Sequence, residues 1–195
     1  MKHLALFASG SGTNVQNIAE YFKNHANVKV SIVLSNNQDA YVLERARRLG
    51  LPSVVFSRKE FYETENVLGI LNQYHTDFIV LAGFLWLIPD YLLRAYSGRI
   101  INIHPALLPK YGGKGMYGDK VHQAVRESGD TVSGISVHYV NERYDEGEII
   151  FQTTCEVTPQ DTAETIAKKV HALEYEHYPK VIERLLESGQ STFRR

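Results

Sequence analysis

Leu4-Ala5-Leu6-Phe7-Ala8-Ser9-Gly10-Ser11-Gly12-Thr13-Asn14 begins as an apolar run and stops in a glycine turn. Behind the turn, Val15, Ile18, Ala19 and Phe22 recur at helical spacing, so the stretch reads as strand, tight loop and helix. A strand that is apolar throughout has both faces covered, as in a parallel sheet between two layers of helices. The alternation continues outward. Strands are expected at 28–34, 53–56, 78–82 and 100–103, and helices at 40–49 (ended by Gly50 and Pro52) and from 58 to about 74. After a short helix at 121–127, the segments 133–140 and 148–157 alternate in polarity and face each other across a turn at 145–147, an antiparallel hairpin. A long amphipathic helix from 161 to about 188 closes the chain. Ala163, Ile166, Val170, Leu173, Val181 and Leu185 form its buried stripe, and Pro179 is expected to kink it. The fold class is α/β: a Rossmann-like, mostly parallel sheet with helices on both faces, a C-terminal antiparallel hairpin and a long final helix.

Composition narrows the function classes. The chain has 195 residues, 21 basic and 22 acidic, for a formal charge of -1, so no global field favours nucleic acid or a membrane surface. No apolar run is long enough to span a bilayer, and the start of the chain lacks a signal peptide's pattern. The single cysteine, Cys155, lies in an alternating segment with no CxxC or Cys/His neighbour, which fits a strand residue in a reducing cytoplasm and argues against a zinc site. His3, His25, His75, His122, His171 and His177 show no metal spacing and read as ordinary surface or core residues. One domain is expected over 1–195, with no repeat or linker. The assembly is left open, a homodimer included.

The glycine loop is the first candidate site. Its two glycines allow a tight turn, and the helix behind offers unpaired N–H groups and a positive dipole end, an anion site suited to phosphate. Thr13 and Asn14 add side-chain donors. A dinucleotide fingerprint fits poorly: Val15 stands where GxGxxG needs its third glycine, and Ser35-Asn36-Asn37 supplies no carboxylate for a ribose diol. A glycine turn with no ligand is the competing reading.

The second is Asn102-Ile103-His104-Pro105-Ala106-Leu107-Leu108-Pro109, at the end of an expected strand. Period-two alternation sends Asn102 and His104 to one side, and Pro105 stops the ladder. Both can donate to an oxygen that gains negative charge. Asp145, in the hairpin turn, would by itself be assigned to turn geometry. If the hairpin folds back over His104, its carboxylate should raise the imidazole pKa and hold the ring as a donor. His138 could face the same cleft or the surface.

Taken in order, Ser9-Gly10-Ser11-Gly12-Thr13-Asn14, Leu81-Ala82-Gly83-Phe84, Asn102 to Tyr111, and Ser136-Val137-His138 leading to Asp145-Glu146-Gly147 resemble the phosphoribosylglycinamide formyltransferases, a family of folate-dependent formyltransferases. The resemblance runs from the first strand to the final helix. It implies transfer of the formyl group of 10-formyltetrahydrofolate to the amine of glycinamide ribonucleotide in purine synthesis, with no metal and no covalent intermediate. It assigns catalysis to Asn102, His104 and Asp145. Substrate contacts fall to Ser11, Gly12, Thr13, Asn14, Gly83, Pro105 and Glu174, and the folate walls to Leu85, Trp86, Leu87 and Ile88 with Asn141, Glu142, Arg143 and Tyr144. The half at about 1–100 would hold the ribonucleotide phosphate, and the half at about 101–195 the folate and the chemistry. For Glu174, helix periodicity alone favours a solvated face.

Two departures concern the folate tail. Many relatives carry Arg at the position of Trp86, and Lys114 is the candidate substitute cation. The glycine-rich loop 112–119 is longer than in many relatives and suggests a mobile flap. Methionyl-tRNA formyltransferases and formyltetrahydrofolate deformylases share the Asn-x-His and Asp constellation, but each normally carries a further domain for which 195 residues leave no room. A non-catalytic nucleotide-binding module would use the glycine loop without the trio.

Overall fold

The structure, a computed structural model, describes residues 1–187. Seven strands form one mixed sheet: β1 (Lys2–Phe7), β2 (Val28–Ser35), β3 (Ser53–Val55), β4 (Phe78–Leu81), β5 (Ile100–His104), β6 (Val132–Tyr139) and β7 (Ile149–Glu156). Their spatial order is β3-β2-β1-β4-β5-β6-β7, parallel through β5 and antiparallel for β6 and β7. The helices are α1 (Thr13–Phe22), α2 (Tyr41–Arg48), α3 (Arg58–Tyr62), α4 (Asn66–Gln73), α5 (Asp90–Ala95), α6 (Asp119–Ser128) and α7 (Ala163–Glu187).

Strand alternation divides the core in two. Leu4, Leu6 and Ala8 join Val15 and Ile18 of α1 and Ile166, Val170 and Ile182 of α7 on one face. Ala5 and Phe7 join Phe61, Val67, Leu71 and Leu92 from α3, α4 and α5 on the other. That double burial is why β1 carries no polar residue beyond its first two positions.

Two elements depart from the expected pattern. The helix expected from 58 to about 74 is two helices. Ser57 starts α3 with a capping box closed by Glu60. The Thr64 hydroxyl then donates to the Glu60 carbonyl (2.9 Å) and accepts from Asn66 N–H (3.2 Å), diverting backbone groups that a continuous helix would pair internally. Helix α5 went unexpected because it is only six residues long, too short for a periodic signal, although Pro89 stands just before its first turn. Helix α7 continues through Pro179, and its expected end at 188 lies outside the described residues. Cys155 is a half-buried residue of β7, and burial pushes its thiol pKa up.

The sheet order reverses between β1 and β4, so the loops after these strands diverge and leave a crevice at their C-terminal ends. The Tyr178 hydroxyl of α7 donates to the Leu81 carbonyl at 2.9 Å and ties the long helix to that end of β4. No helix among the described residues is long and apolar enough to cross a membrane.

Candidate active site

The crevice opens into a cleft of about 530 Å³. Its first wall is the glycine loop. Gly12 caps α1 in the left-handed region (φ 73°), and no side chain caps the helix. A Cβ there would overlap the Val42 side chain and lie 2.9 Å from Val42 Cα, so only glycine lets α2 pack this close. Arg45 braces the loop by donating through Nε to the Ser11 carbonyl at 2.8 Å. Asn14 Nδ2 donates to Glu174 Oε2 at 2.9 Å, while Asn14 Oδ1 is buried at the cleft with no partner among the described residues. Glu174 is only 4 % exposed. The expectation of a solvated face is therefore overturned. Glu174 sits four residues from Val170 and four from Tyr178, on the buried stripe of α7, and its carboxylate is satisfied by Asn14 and by His171 Nδ1 at 2.9 Å.

Asn102 and His104 stand at the end of β5, as alternation required, and Ile103 joins the core behind them. Antiparallel pairing puts His138 opposite Asn102 and Ser136 opposite His104. The loop between β6 and β7 returns over β5 and places Asp145 Oδ2 3.5 Å from His104 Nδ1. Asp145 Oδ1 lies 3.5 Å from Asn102 Nδ2 and 3.6 Å from His138 Nε2. His138 donates from Nδ1 to the Tyr139 carbonyl (2.8 Å) and accepts at Nε2 from Asn102 Nδ2 (3.1 Å), which orients the Asn102 amide. Gly113 N–H donates to Asp145 Oδ2 at 2.9 Å, and His104 Nε2 meets the Tyr111 carbonyl at 2.7 Å.

The charge state of His104 reverses the expectation. Burial lowers its pKa below the ordinary imidazole value and outweighs the raising effects of Asp145 and the Tyr111 carbonyl. Burial also pushes the Asp145 carboxyl up, but His138, His104 and the Gly113 N–H together hold it below its ordinary value. The site therefore holds an ionised Asp145 beside a histidine that resists its second proton.

The opposite end of the cleft is apolar. Leu85, Trp86, Leu87 and Ile88 follow β4 and line it, with Trp86 packed against Phe56, Phe61 and Tyr62 at ring separations of 6.1, 5.8 and 5.9 Å. The Arg58 guanidinium lies 5.5 Å over Trp86 and 4.8 Å over Tyr62, so a cation stands beside the tryptophan, while Lys114 lines the cleft itself. Arg143 and Tyr144 face this wall, and loop residues from Gly113 to Gly118 border it. Asn141 and Glu142 do not line the cleft, because this stretch forms a turn in which Asn141 Oδ1 accepts from Arg143 N–H at 3.0 Å. Gly83 and Pro105 lie on the lining between the two ends.

Reading by residue type missed two histidines. His122 is 2 % exposed, its Nδ1 has no partner among the described residues, and its ring lies 6.2 Å from that of His171. Both line the cleft. His171 precedes Glu174 by three residues on one helix, a spacing visible in the sequence, whereas nothing local distinguishes His122 from a core histidine. Among the described residues, His25, Glu183 and Glu187 bring metal-capable atoms within 4.8 Å of one another, but none of the three lines the cleft.

A glycine loop at a helix N-terminus, an amide–imidazole–carboxylate trio and an apolar slot on one doubly wound sheet define a group-transfer enzyme's site. A family profile described as "Formyl transferase" matches residues 2–182, and the chain belongs to that family. Within it, the chain is similar to the chloroplastic phosphoribosylglycinamide formyltransferase of Arabidopsis thaliana, 42 % identical over 95 % of this chain and 66 % of the plant protein. The phosphoribosylglycinamide formyltransferase of Bacillus subtilis is 40 % identical over 95 % of each chain. The crystal structure of phosphoribosylglycinamide formyltransferase from Bacillus halodurans superposes with a TM-score of 0.86 at 32 % identity, covering 100 % of both chains.

Proposed function

We propose that the chain transfers the formyl group of 10-formyltetrahydrofolate to the amine of glycinamide ribonucleotide in de novo purine biosynthesis. The convergence of Asn102, His104 and Asp145 between the glycine loop and the apolar slot carries this reading. The loop at Ser11, Gly12, Thr13 and Asn14 takes the ribonucleotide phosphate at the N-terminus of α1. The unpartnered Asn14 Oδ1 and His122 Nδ1, with Glu174, face the ribose and glycinamide portion. The folate ring system enters the slot at Leu85–Ile88, and Arg58 supplies the cation beside Trp86 for its acidic tail.

The amine attacks the formyl carbon, and the carbonyl oxygen of the tetrahedral intermediate gains charge that the Asn102 amide and His104 stabilise. One proton moves in net from the attacking nitrogen to the departing folate nitrogen. Because burial keeps His104 neutral before attack, the proton that charges it comes from the amine, and Asp145 steadies the imidazolium until the folate nitrogen takes the proton. The whole of 1–195 serves as one formyltransferase domain, and the half-buried free thiol of Cys155 suits the reducing cytoplasm.

Turnover with both substrates is the direct test. Formate release without the ribonucleotide would favour a deformylase, and binding without turnover a nucleotide-binding module. Asn102→Ala and Asp145→Asn are each expected to lower kcat by about a hundred- to a thousandfold in folded protein. Wild-type turnover in a folded Asp145→Asn variant refutes the proton-handling role.

A further inference from the structure

A carbonyl can only accept, so the 2.7 Å contact of His104 Nε2 with the Tyr111 carbonyl places a proton on Nε2. Nδ1 is then the nitrogen left facing Asp145 Oδ2. Tyr111 makes this contact from a backbone conformation that non-glycine residues rarely adopt, with φ at 56°. Its side chain points away from the cleft toward the end of α6. There the phenol lies 2.7 Å from Ser128 Oγ and donates to Asp130 Oδ2 at 2.8 Å. Asp130 in turn accepts from Lys110 Nζ at 2.9 Å. Two residues beyond Tyr111, the Gly113 N–H binds the same Asp145 oxygen that faces His104. One short segment therefore touches both members of the acid–base pair, and its side-chain anchor lies outside the cleft, which neither Tyr111 nor Asp130 lines.

We infer that Tyr111 and Asp130 are positioning residues for the reaction: their phenol–carboxylate contact holds residue 111 in its left-handed conformation, aiming its carbonyl at His104 Nε2 so that the ring presents Nδ1 to Asp145 and the reacting atoms. The inference rests on the formyl-transfer reading for its kinetic consequence, but its structural consequence is independent of it. With the anchor cut, residue 111 relaxes toward negative φ and the 111–112 peptide turns. The neutral ring is then free to shift its proton to Nδ1, where a carboxylate accepts it.

The test is nitrogen NMR of histidine-labelled, substrate-free protein, joined to steady-state kinetics, on wild type, Tyr111→Phe, Asp130→Asn, Asp130→Glu and Lys110→Ala. Wild type should show His104 protonated on Nε2. Tyr111→Phe and Asp130→Asn should show a population protonated on Nδ1 and a kcat lower by about tenfold, with KM for both substrates little changed. Asp130→Glu should recover part of the loss, and Lys110→Ala, which leaves the phenol contact intact, should match wild type. Retention of the Nε2 tautomer in the two severed variants overturns the inference, as does a tautomer shift with wild-type kcat. If Tyr111→Phe fails to fold, Asp130→Asn decides. Absence of formyl transfer in wild type would count against the proposed function, while the tautomer comparison would still judge the anchor.

Discussion

Gly147→Ala probes the one connection on which the site depends, the return of the β6–β7 loop over β5. A Cβ at Gly147 would overlap the Tyr139 carbonyl oxygen and lie 2.7 Å from its carbon and 3.4 Å from His138 Nδ1. Tyr139 is the last residue of β6 and pairs with Ile101 of β5 in the ladder, so the loop rather than the strand must give way. Clearing the overlap takes a displacement on the order of 1 Å, and overpacking of this kind costs about 1–3 kcal/mol of stability. Asp145 lies two residues upstream and moves with the loop. Starting from the 3.5 Å separation of Asp145 and His104, an added 1 Å weakens the attraction between carboxylate and imidazolium by about 1 kcal/mol at an effective dielectric near 20, roughly fivefold in rate. Misplacement of reacting groups by that distance can cost about a hundredfold. The expected kcat is therefore lower by between about fivefold and a hundredfold, in a protein that still melts cooperatively. Formyl transfer and thermal unfolding measured on the same preparation decide the matter. A destabilised variant with wild-type kcat would refute the coupling of Gly147 to Asp145, and a wild-type melting temperature would refute the clash itself.

Asp145→Asn removes a charge that raises the His104 pKa, so the imidazole should titrate still lower than in wild type by proton NMR, and an upward shift would contradict the account. Glu174→Ala leaves Asn14 and His171 without their shared acceptor. It should cost about 1–3 kcal/mol of stability and raise KM for the ribonucleotide far more than for the folate, and equal effects on both would count against a ribonucleotide contact. Acidification should also destabilise the fold. His104 and His122 have folded pKa values below their unfolded value near 6.5, so the unfolded chain takes up protons first and stability falls as pH drops below about 6.5. His171, raised by Glu174, opposes this, since its contribution is full below 6.5 and fades as pH rises through its folded pKa. With two against one, the melting temperature should decrease between pH 7.5 and 5.5, and an increase would show that the direction has been misjudged.

Much of the architecture was legible because it is written in local periodicity. The apolar runs at β1, β2, β4 and β5 imply two covered faces, and the glycine turn after β1 needs only its own residues to open α1. Alternation sufficed to put Asn102 and His104 on one side of a strand. The break at Thr64 was missed because a single hydroxyl, bonding to its neighbours' backbone, overrode a helical pattern that continues on both sides. Glu174 was misjudged in the opposite sense: its four-residue spacing from Val170 and Tyr178 places it on the buried stripe, and its charge disguised that position.

By itself, then, the sequence determined the parallel α/β core, the glycine loop at the N-terminus of α1 and the pairing of an amide with an imidazole at the end of β5, since each follows from residues adjacent in the chain. Tertiary structure decided the rest. The 3.5 Å approach of Asp145 to His104 spans 41 positions of sequence and depends on the hairpin's register on β5 and on Gly147 lying against Tyr139. The protonation of His104 depends on tertiary structure too. A carboxylate neighbour argues for a raised pKa, but the desolvation that lowers it is summed over every element packed around the ring, and no stretch of sequence carries that sum.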